Sequence, residues 1–322
     1  MTAATGNIAA SVNALEGPLS TQAGTTRVNM PGRMMAVDAG ATNAFLLTTS
    51  GLSVIPLPGI PTGGPGPGGP GGPGAGASNP NTPSLTQSGV VNMANYQTTL
   101  APDSVAAIYG TNLASTATYS STPLTNIMGG VCVTLNNSPL PLLLTSASQI
   151  NVQVPPTLAA GKYPLLVRSI ANHTASSSQT VTVSKYAPAV MVDPATGIAS
   201  IYHADGRAVT KDNPATRDEK LTLYASGLGP TTGGTVTAGS PSPANPLAVT
   251  GKVSVYFGPK GYSQAPMIVD WSGLAPGLIG VYLINITVPG VHLKGDQLPV
   301  MISVGGVSSP TTGSNLPYVA LN

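Results

Sequence analysis

Charge is what this sequence has least of. Only 7% of its 322 residues are charged, 12 Lys or Arg and 10 Asp or Glu, against roughly 25% in ordinary soluble domains. Between Asp38 and Lys162 the single charged side chain is Asp103. With no charge runs, the chain does not read as a disordered polyelectrolyte. A formal net charge of +2 without a basic cluster argues against nucleic acid or an anionic membrane surface as main partner, because both demand concentrated Lys and Arg.

Aromatic residues and cysteine are scarce too. With 2 Phe and 1 Trp, any core must be built from Val, Leu, Ile and Ala. The single cysteine, Cys132, cannot form an intrachain disulfide. Its place in a strand-like run, 130–135, reads as a small apolar filler, with an intermolecular bridge or a reactive thiol as the alternatives. No stretch of about 18 apolar residues exists, so no helix is expected to span a bilayer. The first seven residues have neither a basic nor an apolar region and do not read as a signal peptide. The Ser, Thr and Asn-rich, Lys and Glu-poor strands that follow look like those of an exported protein. The chain is therefore expected to be a mature product or a piece of a longer one.

Glycine (39) and proline (32) are abundant instead. Prolines spread along the chain exclude a mostly helical protein, since each interior one costs a helix about 3 kcal/mol. Residues 1–59 suggest three short strands at 33–37, 44–49 and 52–57. Too few strands are present there to bury both faces, so the segment must pack on something else. Residues 60–84 form a Gly/Pro-rich linker without core-forming side chains. Its collagen register breaks at Gly66-Pro67, and its reach is at most about 75 Å at ~3.1 Å per residue.

From residue 85 onward, period-two strands alternate with Gly, Pro, Asn and Ser turns. In Gln149 to Val154, Ile150, Val152 and Val154 share one face and Gln149, Asn151 and Gln153 the other. Val181 and Val183, Leu221 and Leu223, and Val253, Val255 and Phe257 repeat the pattern. The second half also repeats the first. Ile150-Asn151-Val152-Gln153-Val154-Pro155 matches Ile284-Asn285-Ile286-Thr287-Val288-Pro289, and 163–167 matches 298–302. Upstream, 131–135 matches 253–257, and 108–113 matches 223–228. The spacing predicts an all-β chain: two tandem immunoglobulin-like β-sandwich domains at 85–187 and 188–322. Pro164 and Pro299 inside strand patterns suggest edges or bulges.

These motifs resemble a family: the Solibacter-type C-terminal domain of large secreted acidobacterial proteins, itself similar to the IPT/TIG branch of immunoglobulin-like folds. The residues that carry the resemblance are Ala101-Pro102-Asp103-Ser104, Gly110-Thr111-Asn112-Leu113, Gly129-Gly130-Val131 and Gln149 to Pro155. In the second copy they are Tyr224-Ala225-Ser226-Gly227-Leu228-Gly229 and 273–280. Asp103 stands where the family pattern has Gly, which alters a turn. The match covers about residues 88–310 and implies export and β-sandwich domains; it supplies no catalytic residues. The strands at 33–57 resemble part of a β-propeller blade.

No catalytic motif is present. His173, His203 and His292 have no metal-ligand spacing and there is no Cys pair. Tyr224 stands where a Gly-x-Ser-x-Gly elbow needs its first glycine. Glu16 and Glu219 lie far apart in sequence. No catalytic, cofactor-binding or metal site residue is assigned, no cofactor is expected, and the chain is read as not an enzyme. The one polar concentration, Tyr202 to Arg207, Lys211 to Asn213 and Arg217 to Lys220, reads as a solvated loop, with a Ca²⁺ or hydrolytic site as the functional alternative. Trp271 with Tyr256 and Tyr262 reads as core or loop-covering aromatics, or alternatively as a sugar-stacking platform. Sequons lie at Asn136, Asn172 and Asn285.

Two functions compete. In the first, the chain is a non-enzymatic extracellular structural protein that self-assembles into a surface layer or filament, residues 1–59 donating strands to a neighbouring copy. On that reading the uncharged first half contacts neighbours and the charged loop near 203–220 faces water. In the second, it is a tethered carbohydrate-binding or adhesion module of a larger secreted protein, with surface glycans as partner.

Overall fold

The computed structural model describes the backbone of residues 19–23, 26–30, 34–37, 43–48 and 51–56, and residues 81–322 apart from 171, 194, 259–265, 292 and 311–315. Glu16, most of the 60–84 linker, Tyr262 and His292 lie outside the described residues. The fold is all-β: no described residue is helical, and no described helix is long and apolar enough to cross a membrane. The chain forms two compact units, 1–77 and 78–322.

In the first unit, Leu19–Ala23 pairs antiparallel with Thr26–Met30. Met34–Val37, Asn43–Thr48 and Gly51–Pro56 form an antiparallel sheet in chain order. Each of these strands has a partner within its own segment. The three-stranded sheet falls where the sequence pattern places strands; the 19–30 hairpin carries too weak an alternation to be foreseen.

The second unit holds two aliphatic cores, each closed between two sheets. Around the first, one sheet runs in the order Ser84–Asn92, Val105–Thr111, Gln149–Gln153, Leu142–Thr145, Ala117–Thr118. The facing sheet runs Ser138–Pro139, Val131–Leu135, Gly161–Ser169, Gln179–Val183, Thr99–Leu100. Ile108, Val133, Leu142, Ile150, Val152 and Val167 interdigitate between them, fully buried. Cys132 is buried as well, and loss of hydration holds its thiol above the usual range, with Arg168 pulling weakly the other way.

The second core follows the same plan. Ala189–Val190, Lys220–Ser226, Tyr282–Thr287, Ile268–Leu274, Ala248–Thr250 and Thr231–Gly233 form one sheet, with Ile201–His203 also paired to Lys220–Ser226. In the other, Gly295–Val304 pairs with Val253–Phe257, Val307–Ser308 and Tyr318–Leu321. Segments that match in sequence take matching partners. Val105–Thr111 lies beside Gln149–Gln153, and Lys220–Ser226 beside Tyr282–Thr287. Val131–Leu135 lies beside Gly161–Ser169, and Val253–Phe257 beside Gly295–Val304.

Pro164 and Pro299 are not on edge strands. Each sits in a strand with partners on both sides, one residue beyond the pair that ends a neighbouring strand, Leu135 with Leu165 and Phe257 with Val300. There the ladder no longer asks for the missing N–H. Pro299 also follows a register shift between Gly295 and Leu298.

The polar face of Gln149–Gln153 is covered by the second sandwich. Gln153 is 1% and Asn151 7% exposed. Gln153 Nε2 donates to Asp103 Oδ1 at 2.5 Å, and Gln153 Oε1 accepts from the Gly239 amide at 2.6 Å. The Leu124 amide donates to the Gly239 carbonyl at 2.7 Å. Gly280 (φ +67°) closes the seam: a Cβ there would meet Val105 Cγ2 at 2.8 Å and the Asp103 carbonyl oxygen at 2.9 Å. Only glycine permits that approach in that backbone conformation.

Candidate functional site

The polar loop was the first candidate, and its chemistry is spent internally. His203 is 8% exposed, so the expectation that the whole loop faces water fails at its centre. Its Nδ1 lies 2.5 Å from Glu219 Oε1 and its Nε2 3.1 Å from the Asn213 carbonyl. Both ring nitrogens thus lie within hydrogen-bond distance of an oxygen, one a side-chain carboxylate and one a backbone carbonyl. Glu219 Oε2 accepts from the Thr216 amide at 2.9 Å. Burial pushes the Glu219 carboxyl up, but the bonds from His203 and Thr216 outweigh it and leave it below its ordinary value. Asp205 with Arg207, and Arg217 with Asp218, form exposed pairs between near neighbours. His203 and Glu219 thus clasp the loop to the strands from which it springs. Among the described residues no group of three or more His, Cys, Asp or Glu could hold a metal ion. His173 sits exposed in a turn.

The aromatic candidate is different. Met267, just before the strand Ile268–Leu274, and Val269 within it face the core. Strict alternation would send Trp271 inward after them. The register shifts between Val269, opposite Ile286, and Trp271, opposite Asn285. Asp270 is the extra residue of a β-bulge, a device that re-aims side chains. Beyond it Ser272 and Leu274 take the buried positions, and Trp271 is half-exposed on the outer face. The indole lies against Gly273, where a Cβ would be 2.6 Å from its Cη2 and Cζ2 atoms and 2.3 Å from the Ala248 carbonyl oxygen.

Cross-strand register extends this face. Trp271 is opposite Asn285, Asn285 opposite Thr222, and Thr222 opposite Tyr202. The four half-exposed residues form one row across four strands, spanning about 14 Å at roughly 4.8 Å per strand. Thr222 Oγ1 donates to Asn285 Oδ1 at 3.3 Å. Tyr224 stands beside the row, its ring 5.7 Å from that of Tyr202 and steeply inclined to it at 78°. The row has an aromatic ring at each end and an amide and a hydroxyl between them. At the Trp271 end an open groove of about 540 Å³ continues past Tyr256, Lys252 and Asp270. Asp270 Oδ2 is fixed there by the Thr287 hydroxyl at 2.7 Å.

Of the sequence candidates, the structure brings Trp271 and Tyr256 together on that groove. Tyr224, Thr222 and Asn285 were missed as site residues, and Tyr202 was read only as part of the polar loop. Their signal was present: they are the outward half of the alternation whose inward half, Leu221, Leu223, Ile284 and Ile286, marks the core. Asn285 is also a sequon, at the centre of the row, whereas the sequons at Asn136 and Asn172 lie on exposed residues.

No family model matches the sequence, and no curated protein matches it. Among solved structures, the chain is similar to SGBP-B of the Bacteroides ovatus mixed-linkage glucan utilization locus in complex with a mixed-linkage heptasaccharide. The identity is 11% and the TM-score 0.33, with 92% of this chain and 55% of that one covered. It is also similar to SGBP-B from a complex xyloglucan utilization locus of Bacteroides uniformis (9% identity, TM-score 0.22, 91% of this chain and 81% of that one). A third similarity is to the full extracellular region of plexin A4 (13%, TM-score 0.24, 75% and 16%). The chain thus spans about half the length of the first of these structures.

Proposed function

We propose that the outer face of the second sandwich binds polysaccharide, and that the chain acts outside the cell as a non-enzymatic carbohydrate-binding module of a larger secreted protein. The observation that carries this is the bulge at Asp270, which turns the sole tryptophan out of the core and into a row with Asn285, Thr222 and Tyr202. A sugar ring has apolar faces and polar edges. Trp271 and Tyr202 offer flat apolar surface at the two ends, and the Thr222 hydroxyl and Asn285 amide sit between them to meet hydroxyls. The row is open and long enough for a short stretch of an extended chain rather than a single enclosed sugar. The self-assembly reading has no comparable support, since the N-terminal strands pair with one another.

With one tryptophan in the chain, emission excited at wavelengths too long for tyrosine to absorb reports this face alone. Titration with soluble β-glucans, xyloglucan and xylan should give a saturable change in Trp271 emission for at least one of them. Trp271→Ala should weaken retention in affinity electrophoresis roughly tenfold or more, about 1.4 kcal/mol, and Tyr202→Ala by less. Equal retention of native protein and Trp271→Ala, or no retention of native protein by any polysaccharide on a broad array, overturns the proposal.

A further inference from the structure

A cavity of about 250 Å³ lies at the seam between the two sandwiches, away from the Trp271 row. Val105, Tyr119 and Leu143 line it from the first sandwich, and Met191, Leu278 and Ile279 from the second. Two polar residues, Ser226 and Asn151, are also among its lining, and each keeps a donor without a good acceptor. Ser226 is 4% exposed, and its Oγ is buried without a hydrogen bond. Asn151 accepts at Oδ1 from Gln149 Nε2 at 2.8 Å, while its Nδ2 has only the Met93 thioether sulfur, at 3.6 Å. Sulfur is a weak acceptor. Unsatisfied buried donors are costly, and in an apolar pocket a few convergent polar groups are the usual mark of a small-molecule site.

The chemistry of the walls limits the occupant. Among the described residues no charged side chain lines the cavity, so an ion would be desolvated without compensation. Met93, Met191 and Tyr119 line the same walls, and thioethers pack favourably against aromatic rings. Ser226 and Asn151 both have a hydrogen to donate. Met93, Tyr119 and Leu278, at 42%, 48% and 44% exposure, put apolar surface at an entrance from solvent.

We infer that this cavity is a second binding site, taking a small uncharged aromatic compound that carries a carbonyl or hydroxyl oxygen. The ring fills the space between the methionines, and the oxygen accepts from Ser226 and Asn151. Because the walls come from both sandwiches, the occupant also ties them together, and binding stabilises the folded unit by mass action.

The test uses the full chain and three probes of one shape: acetophenone, benzoate and ethylbenzene. Binding is read by ligand-observed NMR and by thermal unfolding. Acetophenone should bind saturably and raise the midpoint. Benzoate, which adds charge, and ethylbenzene, which lacks the acceptor, should each bind at least about fivefold more weakly. Ser226→Ala should weaken acetophenone about fivefold and leave ethylbenzene unchanged. Leu278→Glu, at an exposed position that folding tolerates, should weaken all three. Absence of saturable acetophenone binding, which would mean the cavity holds only water, overturns the inference. So does benzoate binding as tightly as acetophenone, or acetophenone binding that neither variant changes.

Discussion

Asp103 and Gln153 meet at the seam, Gln153 Nε2 donating to Asp103 Oδ1 at 2.5 Å, and they leave the other carboxylate oxygen, Oδ2, buried without a partner. Asp103 is the sole charged side chain in more than a hundred residues, and it is 4% exposed. Burial pushes its carboxyl up from 3.8 to about 7, and the Gln153 bond offsets only part of that. Its backbone is left-handed, φ 62°, which accounts for a glycine being at home in that turn. Asp and Asn tolerate the same conformation.

The sign of the resulting pH dependence follows. The folded value lies above the unfolded one, so below about pH 4 the carboxyl is neutral in both states and costs nothing. As pH rises from about 4 through 7 the unfolded chain releases its proton first, and stability falls. The full difference is on the order of 4 kcal/mol. Asp103→Asn keeps the acceptor for Gln153 and removes the titration. Urea unfolding at pH 4 and pH 8 should show native protein losing stability between them, and the variant losing several kcal/mol less. Parallel pH profiles would refute the assignment.

Glu219 carries the opposite sign. Its carboxyl sits below its ordinary value of 4.5, so its contribution is present above that pH and is lost as pH falls through the folded value. Glu219→Gln leaves His203 facing a neutral group in a buried place. The carboxylate is a quarter exposed, so solvent screening holds the expected loss to about 1–2 kcal/mol. Thermal unfolding at pH 7 and pH 3 should show the variant less stable at neutral pH and converging with native protein in acid. Hydrogen exchange should place the loosening at residues 203–220. A loss of equal size at both pH values would show that packing, not charge, is responsible.

Which residues face a core was legible in the sequence; what covers the other face was not. Ile150, Val152 and Val154 were placed correctly from period-two alternation, and so were Leu221, Leu223, Val253 and Val255. The same alternation put Gln149, Asn151 and Gln153 on the face away from that core, yet Gln153 and Asn151 are buried too, Gln153 against Gly239 of the second sandwich. Alternation along one strand records the nearest core. It carries no information about a second body docking on the polar side. Trp271 was visible as a candidate, but the phase change that exposes it lies in the pairing with Tyr282–Thr287. One strand alone does not show a bulge. The row with Thr222 and Tyr202 is likewise a property of register, which joins residues 202, 222, 271 and 285.

Cys132 gives a separate check on the first core. It is 6% exposed, and its thiol is held above the usual range by burial. The reactive species is the thiolate, so both access and ionisation oppose reaction. Ellman's reagent at pH 8 should leave the native thiol unmodified over hours and titrate one thiol per chain in denaturant. Non-reducing gels should show no disulfide-linked dimer. Rapid native labelling would return the thiol to the surface and reopen the intermolecular bridge.

Gly273 tests whether the Trp271 face is built or incidental. A methyl at this position meets both the indole and the Ala248 carbonyl oxygen at well under contact distance. Gly273→Ala must therefore shift the ring, the backbone, or both. Overpacking of this kind costs about 1–3 kcal/mol. Because Ser272 and Leu274, not Gly273, fill the core side, the second sandwich should still fold. Emission from the single tryptophan should move to longer wavelength as the indole loses its backing, and polysaccharide affinity should fall by several-fold while acetophenone binding at the seam stays unchanged. Trp271→Phe, which keeps a smaller ring on the same glycine, should retain part of the affinity. If Gly273→Ala binds polysaccharide as native protein does with unchanged emission, the glycine does not position the tryptophan, and the row loses its anchor.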